Sequence, residues 1–170
     1  MALDHEEFTE IFKEVYPGLC RFLECFIGRC GSAQEIAQEC FLGLFRNGLN
    51  ALPRAEAKFW LYRVARNLAL NELSRQRTQR KLQTLVASIF RSSAPTPGEE
   101  IERAENKREL IRLLTLLPEH QRATLLLREQ GMMSYSEIAR VLNVSESKVK
   151  VDIFRARCRL REEWEAKKCR

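Results

Sequence analysis

From Ser32 to Gly48 the chain reads SAQEIAQECFLGLFRNG, and its apolar residues recur at helical spacing. Ala33, Ile36, Ala37, Cys40, Phe41, Leu44 and Phe45 follow the i, i+3, i+4, i+7 pattern and share one helix face. A strand would scatter the same residues over both of its sides, so the pattern demands a helix with a partner to bury it. Ser32 is placed to cap the start, and Asn47-Gly48 to stop the end. The opposite face carries Glu35, Gln38, Glu39, Leu42 and Arg46, with Leu42 stranded among acids. That acidity repels polyanions, so a protein surface is the partner this face suits.

Helical periodicity governs the rest of the chain as well, and the expected fold class is all-α. Asp4 with Glu7 resembles a capping box for a helix running to about Val15; Pro17 begins or kinks a second, ending near Gly28–Gly31. After the loop NGLNALPRAEA comes a long helix from about Ala55 to Leu82, with Trp60, Leu61, Val64, Ala65 and Leu68 as its buried face. Residues 88–100, SIFRSSAPTPGEE, have linker chemistry. Helical patterns resume at about 101–117, 119–130, 135–142 and 146–164. With 7 Gly and 5 Pro in 170 residues there are too few turn formers for a β-sandwich. The expected organisation is two small helical domains, 1–84 and 104–170, joined by a flexible linker at 85–103.

Charge follows the same division. Residues 1–50 hold 4 basic and 8 acidic groups, residues 51–82 hold 8 and 2, residues 83–117 hold 5 and 5, and residues 118–170 hold 12 and 8. Two basic blocks favour polyanion partners such as nucleic acid. No apolar run approaches the roughly 18–20 residues of a membrane span, and MALDHEEF lacks the basic-then-apolar pattern of a secretion signal. The expectation is a cytoplasmic protein without membrane insertion.

The segment SYSEIARVLNVSESKVKVDIFRARCRL, residues 134–160, reads as a helix-turn-helix. Ser134 or Ser136 caps a short helix whose Ile138, Ala139 and Leu142 face inward. Asn143 tolerates the left-handed backbone of the turn, Val144 packs in the elbow, and Ser145 caps the second helix. On that helix Val149, Ile153, Leu160 and Trp164 define the core face. Ser147, Lys148, Val151, Phe154, Arg155 and Cys158 lie opposite. In a major groove Lys148 and Arg155 can bond guanine edges or phosphates, and Val151 and Phe154 can touch thymine methyls. Arg157, Arg159 and Arg161 are placed for phosphates. A solvated basic helix is the plainer alternative.

On the long helix Phe59, Arg63, Arg66, Leu70 and Arg77 cluster on a second face, with Asn67 and Ser74 at its margin. Arginines beside an aromatic ring, an amide and a Pro53-containing loop suit a single strand with unstacked bases. An ordinary arginine-rich surface explains the segment equally well.

The six cysteines, Cys20, Cys25, Cys30, Cys40, Cys158 and Cys169, form no CxxC, and His5 and His120 lie far from any Cys pair. Successive spacings of five turn each of the first three about 140° from the last, so they share no face. Reduced thiols are expected, with no metal and no cofactor. There is no glycine-rich phosphate loop and no nucleophile–base set, hence no catalytic residue and no expected enzyme activity.

Taken in order, these segments resemble the extracytoplasmic-function (ECF) group of bacterial sigma factors, specificity subunits of RNA polymerase. AQEIAQECFLGLF at 33–45 is similar to the family pattern AEDLVQETFLRLW, and AKFWLYRVARNLALNELSR at 57–75 to FRAWLYRIARNLAIDxLRR. LPEHQRATLLLR at 117–128 and MSYSEIARVLNVSESKVKVDIFRARCRL at 133–160 are similar to the region-four pattern. The resemblance implies that Glu35, Gln38, Glu39, Leu42 and Arg46 dock on the clamp helices of the largest catalytic subunit of core RNA polymerase. It implies that the loop with Pro53, and Phe59, Arg63, Arg66, Asn67, Leu70, Asn71 and Arg77, hold the melted single-stranded minus-10 element. Ser147, Lys148, Val151, Phe154, Arg155, Arg157 and Arg159 would read the minus-35 element as duplex promoter DNA. Control by an anti-sigma factor is implied too. Ser147-Lys148 and Val151-Asp152 depart from the family's Gly-Thr and Ser-Arg, as Asn71 and Ser74 do from an acidic and a basic position, so base preference does not transfer. Asp152 is expected near the groove or paired with Lys148. A conventional helix-turn-helix regulator and a protein-only helical adaptor are the other classes these residues allow.

Overall fold

The amphipathic stripes assemble as helices throughout the described part of the chain. The computed structural model describes residues 5–28, 30–48, 52–87 and 101–168. Its elements are α1 (His5–Ile27), α2 (Cys30–Gly43) with a π-helical turn at Leu44–Gly48, α3 (Arg54–Ala87), α4 (Ile101–Thr115), α5 (Glu119–Glu129), α6 (Tyr135–Leu142) and α7 (Glu146–Lys168). Asp4 and the linker segment 88–100 lie outside the described residues.

α1 runs through Pro17 as one helix, where the sequence suggested a break near Val15. Pro17 and Lys13 are both exposed, so the carbonyl that the missing N–H leaves without a helical partner lies on the solvent side. Ile11, Val15, Leu19, Phe22 and Phe26 keep one buried face across the proline, and that burial outweighs the local cost. Gly28, at φ 82°, ends α1 and donates its N–H to the Glu24 carbonyl at 2.8 Å. The reversal is short enough for α2 to start at Cys30, so Ser32 sits inside the first turn and is not the cap.

α2 buries the expected stripe with one exception. Ala33, Ile36, Ala37, Cys40, Phe41 and Leu44 are buried, but Phe45 is 49% exposed. The wider π turn at Leu44–Gly48 shifts the register, turning Phe45 outward against Phe8, 5.6 Å away between ring centroids. α3 extends to Ala87, five residues past the expected end. Leu61 and Ala65 are buried on it while Trp60, Val64 and Leu68 are only half-buried; Tyr62 and Ala69, unassigned by the periodicity, are buried as well.

α1, α2 and α3 form one bundle around Phe22, Phe26 and Tyr62. Phe22 stacks on Phe26 at 5.5 Å and meets Tyr62 edge-on at 5.5 Å. The second bundle, α4 to α7, closes around Leu127, Met133, Ile138, Val149 and Ile153. Trp164 was expected in that core but is 48% exposed, because α7 projects past α5 and α6 and leaves it beside Leu110 of α4. The bundles are pressed together, and buried residues of both form one continuous apolar cluster. A Cβ on Gly18 would lie 2.9 Å from Tyr62 Oη and 3.2 Å from the Gln130 carbonyl oxygen, so α1 meets α3 and the end of α5 at bare backbone.

Removing Phe22, which is fully buried, is expected to destabilise the chain by about 3–5 kcal/mol. Phe154→Ala, at a residue 68% exposed, is expected to stay within about 0.5 kcal/mol of the parent. Denaturant unfolding of the two variants checks the contrast.

Candidate nucleic-acid interface

The helix-turn-helix is built by three local devices. Ser134 caps α6 by accepting from the Glu137 N–H at 3.3 Å, and the Glu137 carboxylate accepts from the Ser134 N–H at 2.7 Å, a complete capping box. Asn143 ends α6 in the left-handed region, φ 54° and ψ 52°. Ser145 Oγ accepts from the Lys148 N–H at 3.2 Å at the start of α7. Ile138 is fully buried, with Ala139, Leu142 and Val144 half-buried around it.

These devices set the outer face of α7. Ser147, Lys148, Val151, Phe154, Arg155 and Arg159 are exposed there, and Cys158 is half-buried at its edge. Phe154 and Val151 form an apolar pair flanked by cations, with Phe154 68% and Val151 44% exposed. Of the two places open to Asp152, the structure takes the local pair. Its carboxylate is buried, accepts from Lys148 Nζ at 3.0 Å and lies 3.6 Å from His120 Nε2 of α5. Arg157 donates to Glu129 at 2.9 Å and is thereby drawn toward α5.

The second arginine face is arranged differently. Pro53, Asn67, Asn71 and Arg77 are exposed and Leu70 is half-buried. Phe59, expected on the open face, is buried beneath α6, with the Arg140 guanidinium 4.6 Å from its ring centroid. Arg63 donates to the carbonyls of Arg140 at 2.8 Å and Val141 at 3.4 Å. Arg66 makes a two-pronged bond to Glu119, both distances 2.9 Å. Helical periodicity cannot reveal this covering, because it comes from residues 50 to 80 positions further along the chain.

On α2, Glu35, Gln38, Glu39, Leu42 and Arg46 are all exposed. Beside Leu42 lies a cleft of about 380 Å³, lined by Phe8, Phe12, Gln38, Phe41, Leu42 and Phe45. Phe12 and Phe45 were not among the sequence-derived candidates; the π turn hides the one, and the other sits in an acid-rich stretch without a clean period.

Four thiols can be placed. Cys20, Cys25 and Cys158 are half-buried and Cys40 is buried, all free. Burial pushes the Cys40 thiol up to about 12, and burial raises Cys20 and Cys25 as well. Among the described residues no group of three or more His, Cys, Asp or Glu is arranged to hold a metal ion, and no helix is long and apolar enough to cross a membrane.

The sequence matches the Sigma-70 region 2 family over residues 11–79 and the Sigma-70 region 4 family over residues 107–160. The ECF RNA polymerase sigma-E factor of Escherichia coli is 31% identical over 137 residues, covering 75% of this chain and 71% of that protein. The chain belongs to the ECF sigma factors. It is also similar to the ECF RNA polymerase sigma factor SigM of Bacillus subtilis, 26% identical over 153 residues and covering 89% and 91% of the two chains. Its fold matches the sigma factor RpoE of Bartonella quintana, solved with the anti-sigma factor NepR, at a TM-score of 0.69 with 20% identity, over 94% of this chain and 98% of that one. Sigma factors are non-catalytic transcription initiation factors, and this ECF sigma factor directs RNA polymerase to promoters. Its region 2 comprises most of the first bundle, and its region 4 contains the helix-turn-helix.

Glu137 ties the region 4 helix-turn-helix to pH. Its hydrogen bond from the Ser134 N–H holds its carboxyl below the ordinary 4.5, so it favours the fold above that pH and ceases to as pH falls through the lowered value. Glu137→Gln is therefore expected to lower the melting temperature near neutral pH, and the deficit should shrink below pH 4.5. Thermal melts across that range check it.

Proposed function

We propose that three surfaces divide the work of initiation. The exposed α2 stripe, Glu35, Gln38, Glu39, Leu42 and Arg46, docks on the clamp helices of the largest polymerase subunit, with the cleft beside Leu42 receiving apolar side chains. The α3 face with Pro53, Phe59, Arg63, Arg66, Asn67, Leu70, Asn71 and Arg77 grips the melted minus-10 strand. The outer face of α7, Ser147 to Arg159, reads duplex DNA at minus-35. The domain division 1–84, 85–103 and 104–170 separates the first two surfaces from the third. An anti-sigma factor is a partner, as for the Bartonella relative. The protein works in the bacterial cytoplasm and catalyses no reaction of its own.

The observation that carries this reading is the outer face of α7. A large aromatic, 68% exposed, sits between cations on a helix whose start is fixed by a side-chain cap and a left-handed turn. Exposed Phe154 contributes nothing to the core, whereas in a major groove it contacts thymine methyls while Lys148 and Arg155 reach base edges and phosphates. Asp152 is held away from the groove by Lys148 and His120, so it does not oppose the phosphates directly.

Run-off transcription with core polymerase, mapped by sequencing, tests the reading. Defined start sites are expected with this chain and none without it; a chain that binds duplex DNA alone and supports no start site is a conventional regulator instead. Leu42→Asp is expected to abolish transcription and co-purification with core polymerase while leaving duplex binding intact. Arg155→Ala is expected to weaken minus-35 duplex binding about tenfold or more and to flatten its salt dependence if it neutralises a phosphate. Fluorescence anisotropy at two salt concentrations measures both.

A further inference from the structure

We infer that Arg122 and Arg77 form the cationic wall of a small-anion site, which takes the phosphate group of a small molecule. Where α3 passes the start of α5, Leu73, Gln76 and Arg77 line a cavity of about 320 Å³ together with Thr115, Glu119 and Arg122. That volume is at the lower end of the range that holds small ligands. Arg122 is 5% exposed, yet its Nε has no hydrogen-bond partner and its guanidinium enters no ion pair among the described residues. The carboxylate in the same wall, Glu119, is already held by both prongs of Arg66 at 2.9 Å each. Arg77 adds a second cation, and its charge opposes that of Arg122. Two arginines thus converge on one cavity with a single carboxylate that is committed elsewhere.

A buried cation without a counter-ion is costly. The Phe26 ring, 4.6 Å from the Arg122 guanidinium, answers only one face of it. The N–H groups lie along its edge, and the oxygens of a phosphate match that edge in spacing and charge. Two further sets of donors adjoin the cavity. α5 begins at Pro118 with no side-chain cap, so its first N–H groups have no acceptor within the helix. Gln76 is 7% exposed and gives one amide hydrogen to Glu72 at 2.7 Å, which leaves the other for a ligand. Arg77 is exposed and can also serve the α3 strand face, but Arg122 lies too deep for a strand that follows the surface. A small, freely diffusing phosphate reaches both. The site is independent of the three surfaces proposed above, since Arg122 belongs to none of them.

Titration of the full chain with inorganic phosphate, adenosine monophosphate and adenosine, at an ionic strength held constant with chloride, tests the site. The readout is the Arg122 Nε–H cross-peak in a nitrogen-15 spectrum, assigned by its loss in Arg122→Met. The peak should move and saturate with a Kd of about 1 mM or tighter for at least one of the two phosphates, and stay in place with adenosine. Tighter binding of inorganic phosphate identifies the free anion as the ligand, and tighter binding of the monophosphate identifies a nucleotide. Calorimetry should show the preferred phosphate binding Arg122→Met at least about tenfold more weakly, because the charge-assisted bonds are lost. Methionine keeps the apolar contact with Phe26, so this variant is expected to melt no lower than the parent. Arg77→Gln, at an exposed position, leaves the core intact and should weaken binding by about three- to tenfold. An Nε–H peak unmoved up to about 10 mM of both phosphates overturns the site. So does binding that survives Arg122→Met and Arg77→Gln unchanged, or an equal response to adenosine.

Discussion

The close approach of α1 to α3 and α5 at Gly18 is the constraint on which the rest of the molecule depends. Any side chain there would strike Tyr62 Oη, so the bare backbone permits Phe22, Phe26 and Tyr62 to interlock. That interlock carries directly into the second bundle. Arg122 of α5 is 5% exposed and lays its guanidinium 4.6 Å from the Phe26 centroid, while its buried Nε has no hydrogen-bond partner among the described residues. Burial pulls the Arg122 pKa down, the nearby Glu119 carboxylate pulls it up, and Arg77 pushes it down. Burying a cation this way is costly unless something else favours the contact, and the aromatic face supplies part of the compensation. The apolar seam brings α5 and α6 over α3, and the polar pairs then fix which residues meet.

This arrangement gives the two basic surfaces different standing in one structure. On α7 the residues expected to meet duplex DNA are exposed, and the Asp152 carboxylate in their midst is turned inward. On α3 the residues expected to meet a single strand are engaged by their own chain. The covering combines a continuous apolar seam with partly exposed ion pairs at its edge.

Much of this was legible in the sequence, and what was not has definite causes. The helix class, the α2 stripe and the helix-turn-helix followed from residues that act within a few positions of themselves. Ser134, Asn143 and Ser145 each do locally what their chemistry favours. Pro17 misled because local cost argued for a break while long-range burial kept α1 whole. Phe45 and Trp164 misled because extrapolating a period assumes both unbroken geometry and a partner along the whole helix. The covering of Phe59, Arg63 and Arg66 was illegible for another reason: Glu119 and Arg140 are exposed-type residues that no periodicity pairs with α3. The acceptors for Arg63 are main-chain carbonyls and carry no sequence signature at all.

A photo-crosslinking amino acid in place of Lys58 tests most directly the claim that the apolar seam brings α6 over α3. Lys58 lines a cleft shared with Glu137 of α6, at the edge of the covered face. In the free protein it should crosslink to peptides of α6. A free protein that crosslinks Lys58 to no α6 peptide would contradict the account.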